Sequence, residues 1–89
     1  MNRLNTSSSQ PNLSKAIEVA LKYLENLKRH GLITRYDQEP VEEEGAYHLT
    51  AYAEHPEKVD RELGHLSASI SIEFGLPFYI LVSRERKED

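Results

Sequence analysis

Apolar residues recur along this chain at two different periods, and the change of period marks its elements. Leu13, Ile17, Ala20, Leu24 and Leu27 are spaced by threes and fours, which places them on one face of a helix; Ala16 and Leu21 widen the stripe. Asn12 or Ser14 can cap its start by accepting a bond from a free backbone N–H. Lys28, Arg29 and His30 suit the negative end of the helix dipole, and Gly31 suits the position just past it. The period then shortens. LITRYDQ (32–38) is rich in β-branched and aromatic residues, and AYHLTAYAE (46–54) alternates, with Tyr47, Leu49, Ala51 and Ala53 on one side and Ala46, His48, Thr50 and Tyr52 on the other. PVEEEG separates them, so the pattern predicts an antiparallel hairpin with a loop of about seven residues.

The longer period returns after His55-Pro56. Pro56 suits a first helical turn, where its missing N–H costs nothing. Val59, Leu63, Leu66, Ile70 and Phe74 form the apolar face of this second helix, Gly75 ends it, and Pro77 prevents continuation. FYILVS follows, apolar at both alternations, which predicts a strand inside the sheet and away from its edge. The order is α-β-β-α-β. The expected fold is a two-layer α+β domain, a three-stranded sheet with two helices on one face and the other face uncovered. Residues 1–11, polar with three consecutive serines, are expected to be a disordered tail, 12–85 a single domain, and 86–89 a charged tail.

Composition narrows the function. Eighty-nine residues make one small core, for which association between copies is a common remedy. A net charge of −4 weighs against general nucleic-acid binding, which relies on basic surface. With no cysteine there is no disulfide, thiolate metal site or thiol nucleophile, which fits the cytosol. No apolar run reaches the roughly 20 residues of a membrane span, and the first residues lack the apolar centre of a signal peptide.

The candidate chemistry is sparse. Asp37, Glu39, Glu42, Glu43 and Glu44 are hard oxygen ligands, yet they lack the spacing of a calcium loop and read as a solvated hairpin tip. His30, His48, His55 and His65 include no pair at the helical spacing that holds zinc, although His48 and His55 could approach a shared site. Ser67, Ser69 and Ser71 have no nucleophile elbow around them. Gly64, Ala68, Ser71 and Gly75 make a small-residue stripe on the second helix, suited to close packing within the chain or between copies. Tyr36, Tyr47, Tyr52 and Tyr79 all fall on strands, where aromatics serve an interface or stack on bases. No metal, cofactor or catalytic residue is assigned.

From Tyr47 to Glu85 the chain resembles the later part of minimal bacterial nucleotidyltransferase domains, the type paired with HEPN partners in toxin–antitoxin modules. The likeness lies in AYHLTAYAE, in VDRELGHLSASISIEFG and in LPFYILVSRE. The resemblance implies a nucleotide-binding Gly-Ser motif and paired magnesium-binding aspartates. Here RYDQEPVEEEGAYHLT has no Gly-Ser pair, and Tyr47, His48 and Leu49 stand where the aspartates belong. A member of this kind would be non-catalytic. The element order is also similar to type II KH-like domains, without their GXXG loop. The expectation is a non-catalytic cytosolic interaction module. It is expected to be a homodimer or to hold a protein partner, with Tyr36, Tyr47, Tyr52 and Tyr79 nearest the interface. The alternatives are a KH-like nucleic-acid binder and a degenerate nucleotidyltransferase-like protein.

Overall fold

The computed structural model describes residues 3–85, with side chains from Asn12 onward. Helix α1 spans Arg3–Arg29 and helix α2 spans Asp60–Phe74. Four strand segments accompany them: β1 (Arg35–Tyr36), β2 (Val41–Glu43), β3 (Ala46–Ala53) and β4 (Phe78–Arg84). The class is α+β, as expected, with one more strand segment than the pattern predicts.

The helices form where the apolar period places them. Ala16, Ala20, Leu24 and Leu27 of α1 are buried, as are Leu63 and Ile70 of α2 and Val59 just before it. They join Leu49, Ala51 and Ala53 of β3 and Phe78 and Ile80 of β4 in one core. Both helices therefore cover the same face of the sheet. Gly31 and Gly75 take the left-handed conformation that follows a helix, as their positions suggest. The α1 backbone begins well upstream of Asn12, so the stretch from Arg3 expected to be a tail is helical. That extension carries no apolar stripe, and Pro11 lacks a helical N–H donor, so the pattern gives no signal for it. Asn12 consequently does not start α1; its Nδ2 donates to the carbonyl of Phe74 at 3.2 Å, closing the end of α2. The predicted charged tail, 86–89, lies outside the described residues.

β3 is the central strand. β1 and β2 pair with it antiparallel along one side, and β4 pairs with it parallel along the other, from Tyr47↔Phe78 to Ala53↔Arg84. β1 and β2 are two pieces of one edge strand. Arg35 pairs with Tyr52 and Val41 with His48, so six steps along this strand match only four on β3. The two extra residues form a bulge that includes Pro40, which has no N–H for the ladder. Because the shift is even, side chains on both pieces keep their faces. Of the strand predicted over 32–38 only Arg35–Tyr36 joins the ladder, and β2 falls in the segment expected to be hairpin loop.

The hairpin is also tighter than predicted. Glu44 and Gly45 alone connect β2 to β3, with φ of 53° and 82°. Positive φ at both positions is the signature of a type I′ turn, whose twist matches its flanking strands. Between β3 and α2 lies a 3₁₀ turn, Pro56–Lys58, with Pro56 at its start.

β4 departs most from expectation. Among the described residues it is an edge strand, paired only with β3. Its apolar residues at both alternations do not mean that both faces are covered. Phe78 and Ile80 are buried under the helices, whereas Tyr79 and Leu81 on the opposite face are 45% and 48% exposed. α2 reaches over the start of this free edge. Ser67 Oγ accepts the N–H of Ile80 at 2.7 Å and donates to the carbonyl of Leu63 at 2.9 Å. Ser71 Oγ accepts the N–H of Phe78 and donates to its carbonyl, both at 3.0 Å. Two serines four residues apart thus satisfy backbone groups that a neighbouring strand would otherwise take.

Candidate interaction surface

The open face is built by strict alternation. On β3, His48, Thr50 and Tyr52 point away from the helices while Leu49, Ala51 and Ala53 are buried beneath them. Register places their neighbours. Val41, His48 and Tyr79 form one row, Thr50 and Leu81 the next, and Arg35, Tyr52 and Ser83 the third. Glu43 sits beside Ala46 at the hairpin end.

These residues are held in place by contacts within the face. The His48 and Tyr79 rings stack with centroids 5.6 Å apart and planes 21° from parallel. The Arg35 guanidinium lies over the Tyr52 ring, 3.8 Å from its centre, and Arg35 Nε is 3.3 Å from Glu85. Glu43 approaches His48 Nδ1 to 4.0 Å. Val41, at 61% exposure, completes an apolar and aromatic centre with Tyr79 and Leu81. Charge lies at its two ends: Glu43 and Glu44 at the hairpin, Arg35 and Glu85 at the other.

The four predicted tyrosines divide between the two faces. Tyr52 and Tyr79 lie on the open one. Tyr36 and Tyr47 pack against the core on the helix side, because their positions have the parity of Ala51 and Leu49. Tyr36 donates its hydroxyl to Glu25 of α1 at 2.7 Å. That bond to the carboxylate raises the Tyr36 pKa and lowers that of Glu25. Tyr23 likewise donates to Glu62, joining α1 to α2, and its pKa is raised by that bond. The sequence pattern does not single out Val41 and Leu81 as members of the face, although their positions follow once β2 and β4 are placed beside β3.

The other candidates are dispersed. Among the described residues no three His, Asp or Glu side chains gather as metal ligands. His48 lies in the sheet, while His55 lies past the far end of β3, 3.6 Å from Glu57. His30 Nδ1 contacts the Asn26 carbonyl at 2.8 Å, at the end of α1. Of the small-residue stripe, Gly64 and Ala68 face solvent rather than a neighbour within the chain. A shallow cleft of about 240 Å³ lies between Gly31–Thr34 and Glu54, His55 and Lys58. It falls below the roughly 300 Å³ at which ligand pockets begin. The Thr34 hydroxyl there is already committed to the Tyr52 carbonyl and to Glu85.

No helix among the described residues is long and apolar enough to cross a membrane. Comparison with family models, with curated proteins and with solved structures finds no match to this chain.

Proposed function

We propose that this protein is a non-catalytic cytosolic interaction module that self-associates through its open sheet face. The observation that carries this reading is the position of Tyr79 and Leu81. Each is close to half exposed on an edge strand whose alternate residues, Phe78 and Ile80, are buried. Burying such side chains against another surface stabilises by about 25 cal/mol per Å² of apolar area. Val41 extends the patch across β3, and tyrosines such as Tyr52 and Tyr79 favour interfaces because each offers a large apolar ring and a polar tip.

The size of the face sets the strength expected. Three strands about 4.8 Å apart and seven residues long make a plane on the order of 15 by 25 Å. Standard interfaces bury about 800 Å² per partner, so this one supports a reversible, concentration-dependent dimer. Light scattering over a dilution series tests it. The expected result is a dimer that dissociates on dilution and that Leu81→Asp abolishes while circular dichroism is unchanged. A chain that stays monomeric up to about 1 mM, where even about 4 kcal/mol of association would show, overturns the reading.

A second reading has its own support. The His48–Tyr79 stack and the Arg35–Tyr52 pair offer aromatic rings on an open sheet, where rings can stack unpaired bases, and this supports a nucleic-acid-binding domain of KH-like element order as the alternative. The glutamates at the hairpin oppose a phosphate backbone. Binding of a labelled oligonucleotide that weakens steeply with salt would favour this reading; no binding at low salt would remove it.

A further inference from the structure

The face is complementary to itself in one orientation, and we infer that two copies meet face to face with their strands antiparallel, Glu43 of one copy against Arg35 of the other. This rests on the proposed self-association and specifies its geometry. Glu43 and Arg35 belong to the same edge strand and sit at its opposite ends, beside Ala46 and Tyr52 of β3. Both side chains are more than half exposed. About six residues of β3 separate the two levels, roughly 20 Å.

A two-fold axis between the faces can run along the strands or across them. An axis along the strands sets Tyr52 against Tyr52 and Ala46 against Ala46, which crowds one level and leaves a gap at the other. It also sets Arg35 opposite Ser83. An axis across the strands at the level of Leu49 inverts the order. Tyr52 then meets Ala46, His48 meets Thr50, and Tyr79 meets Leu81, so that larger side chains face smaller ones at each level. The same operation places each Arg35 against a Glu43, twice in the dimer, as a two-fold requires. Two sheets stacked this way lie within the roughly 30° of aligned packing. The occupant is therefore a second copy of this chain.

Charge exchange tests the orientation. Arg35→Glu alone brings two glutamates together at both corners, and Glu43→Arg alone brings two arginines together. Each variant by itself should dissociate at least about tenfold more readily than the native chain. An equimolar mixture restores opposite charges at both corners of the mixed dimer. Sedimentation velocity and native mass spectrometry should show mixed dimers of near-native affinity. Arg35→Glu also faces Glu85 within its own chain, so a second set guards against local misfolding: Arg35→Gln, Glu43→Gln and the double variant. Their effects on dissociation should be non-additive if the residues pair across the interface. Singles that associate as well as the native chain, a mixture no tighter than its components, or additive glutamine variants would overturn the antiparallel arrangement. A monomeric native chain, or a Leu81→Asp variant that still dimerises, would instead overturn the self-association beneath it.

Discussion

Leu49, Ala51 and Ala53 on one face of β3 are sealed beneath two helices, whereas His48, Thr50 and Tyr52, each one residue away, lie on a face that no described element covers. The same division runs through β4, where Phe78 and Ile80 are buried and Tyr79 and Leu81 are not. The covered side is dominated by small and aliphatic side chains that admit a helix closely. The open side carries rings, a guanidinium and apolar residues that no described element covers. The difference divides one sheet in two: one face holds the fold together, and the other contributes little to the core and stays open.

The largest test of this division compares neighbours on β4. Phe78→Ala removes a fully buried ring and should cost about 3–5 kcal/mol, enough to unfold much of so small a domain in a denaturant titration. Leu81→Ala, on the other face, should change the stability of the isolated chain by less than about 0.5 kcal/mol. Its effect should appear in dimer dissociation instead. Comparable destabilisation by both would break the comparison.

Serines sharpen it next. Ser67 is buried and holds the Ile80 N–H, so Ser67→Ala should cost about 1–3 kcal/mol by leaving that group without a partner. Ser69→Ala, on the exposed side of α2, should be close to neutral in the same titration. Equal effects would show that α2 does not seal the edge of β4.

Glu44→Asn acts on the hairpin turn at the end of the sheet. Asparagine tolerates left-handed backbone better than glutamate, and Asn-Gly is the preferred type I′ pair, so the melting temperature should rise by an amount equivalent to about 0.5–1 kcal/mol. Dimer affinity should change little beside this, since Glu43, the residue set against Arg35 in the proposed arrangement, is retained.

The smallest expected effect is a pH dependence confined to the helix side. The Tyr36 hydroxyl holds the Glu25 carboxyl below its ordinary 4.5. A group whose pKa is lowered by folding stabilises above its unfolded pKa, and the gain fades as pH falls through the folded value. Tyr36 is raised above 10.0, so its contribution is present below that pH and is lost as pH rises through the folded pKa. Chemical denaturation from pH 3 to 11 should therefore show Tyr36→Phe flattening both flanks of the native profile. Unchanged flanks would remove the bond from the account.

Much of this architecture is legible in the sequence. The period of Leu13 to Leu27 and of Val59 to Phe74 marks both packed helical faces, the alternation of 46–53 assigns every residue of β3 to its face, and Gly31 and Gly75 mark both helix ends. The errors have physical sources. A strand apolar at both alternations reads as buried on both faces, but the pattern cannot distinguish cover from its own chain from cover by another. That is why β4 seemed central. Glu44 in a left-handed turn is an unusual residue for that position, so Glu44–Gly45 passed as part of a longer loop. Tyr36 and Tyr47 were grouped with Tyr52 and Tyr79 by residue type, although their parity assigns them to the helix side. By residue type Ser67 reads only as a nucleophile, and Ser71 as that or as part of a small-residue stripe, neither as a partner for strand backbone. Their spacing of four, beside Leu63 and Ile70, carries the signal of an inward face.

The most direct test of the central claim is an isotope-filtered NOE experiment on a mixture of labelled and unlabelled chains, which reports contacts between copies alone. Cross-peaks between the Tyr79 ring of one copy and the Leu81 methyls of the other, and between the Tyr52 ring and the Ala46 methyl, are the predicted result. Intermolecular peaks confined to Ile72 and Ala68 on the exposed side of α2, or none at concentrations where scattering reports a dimer, would contradict it.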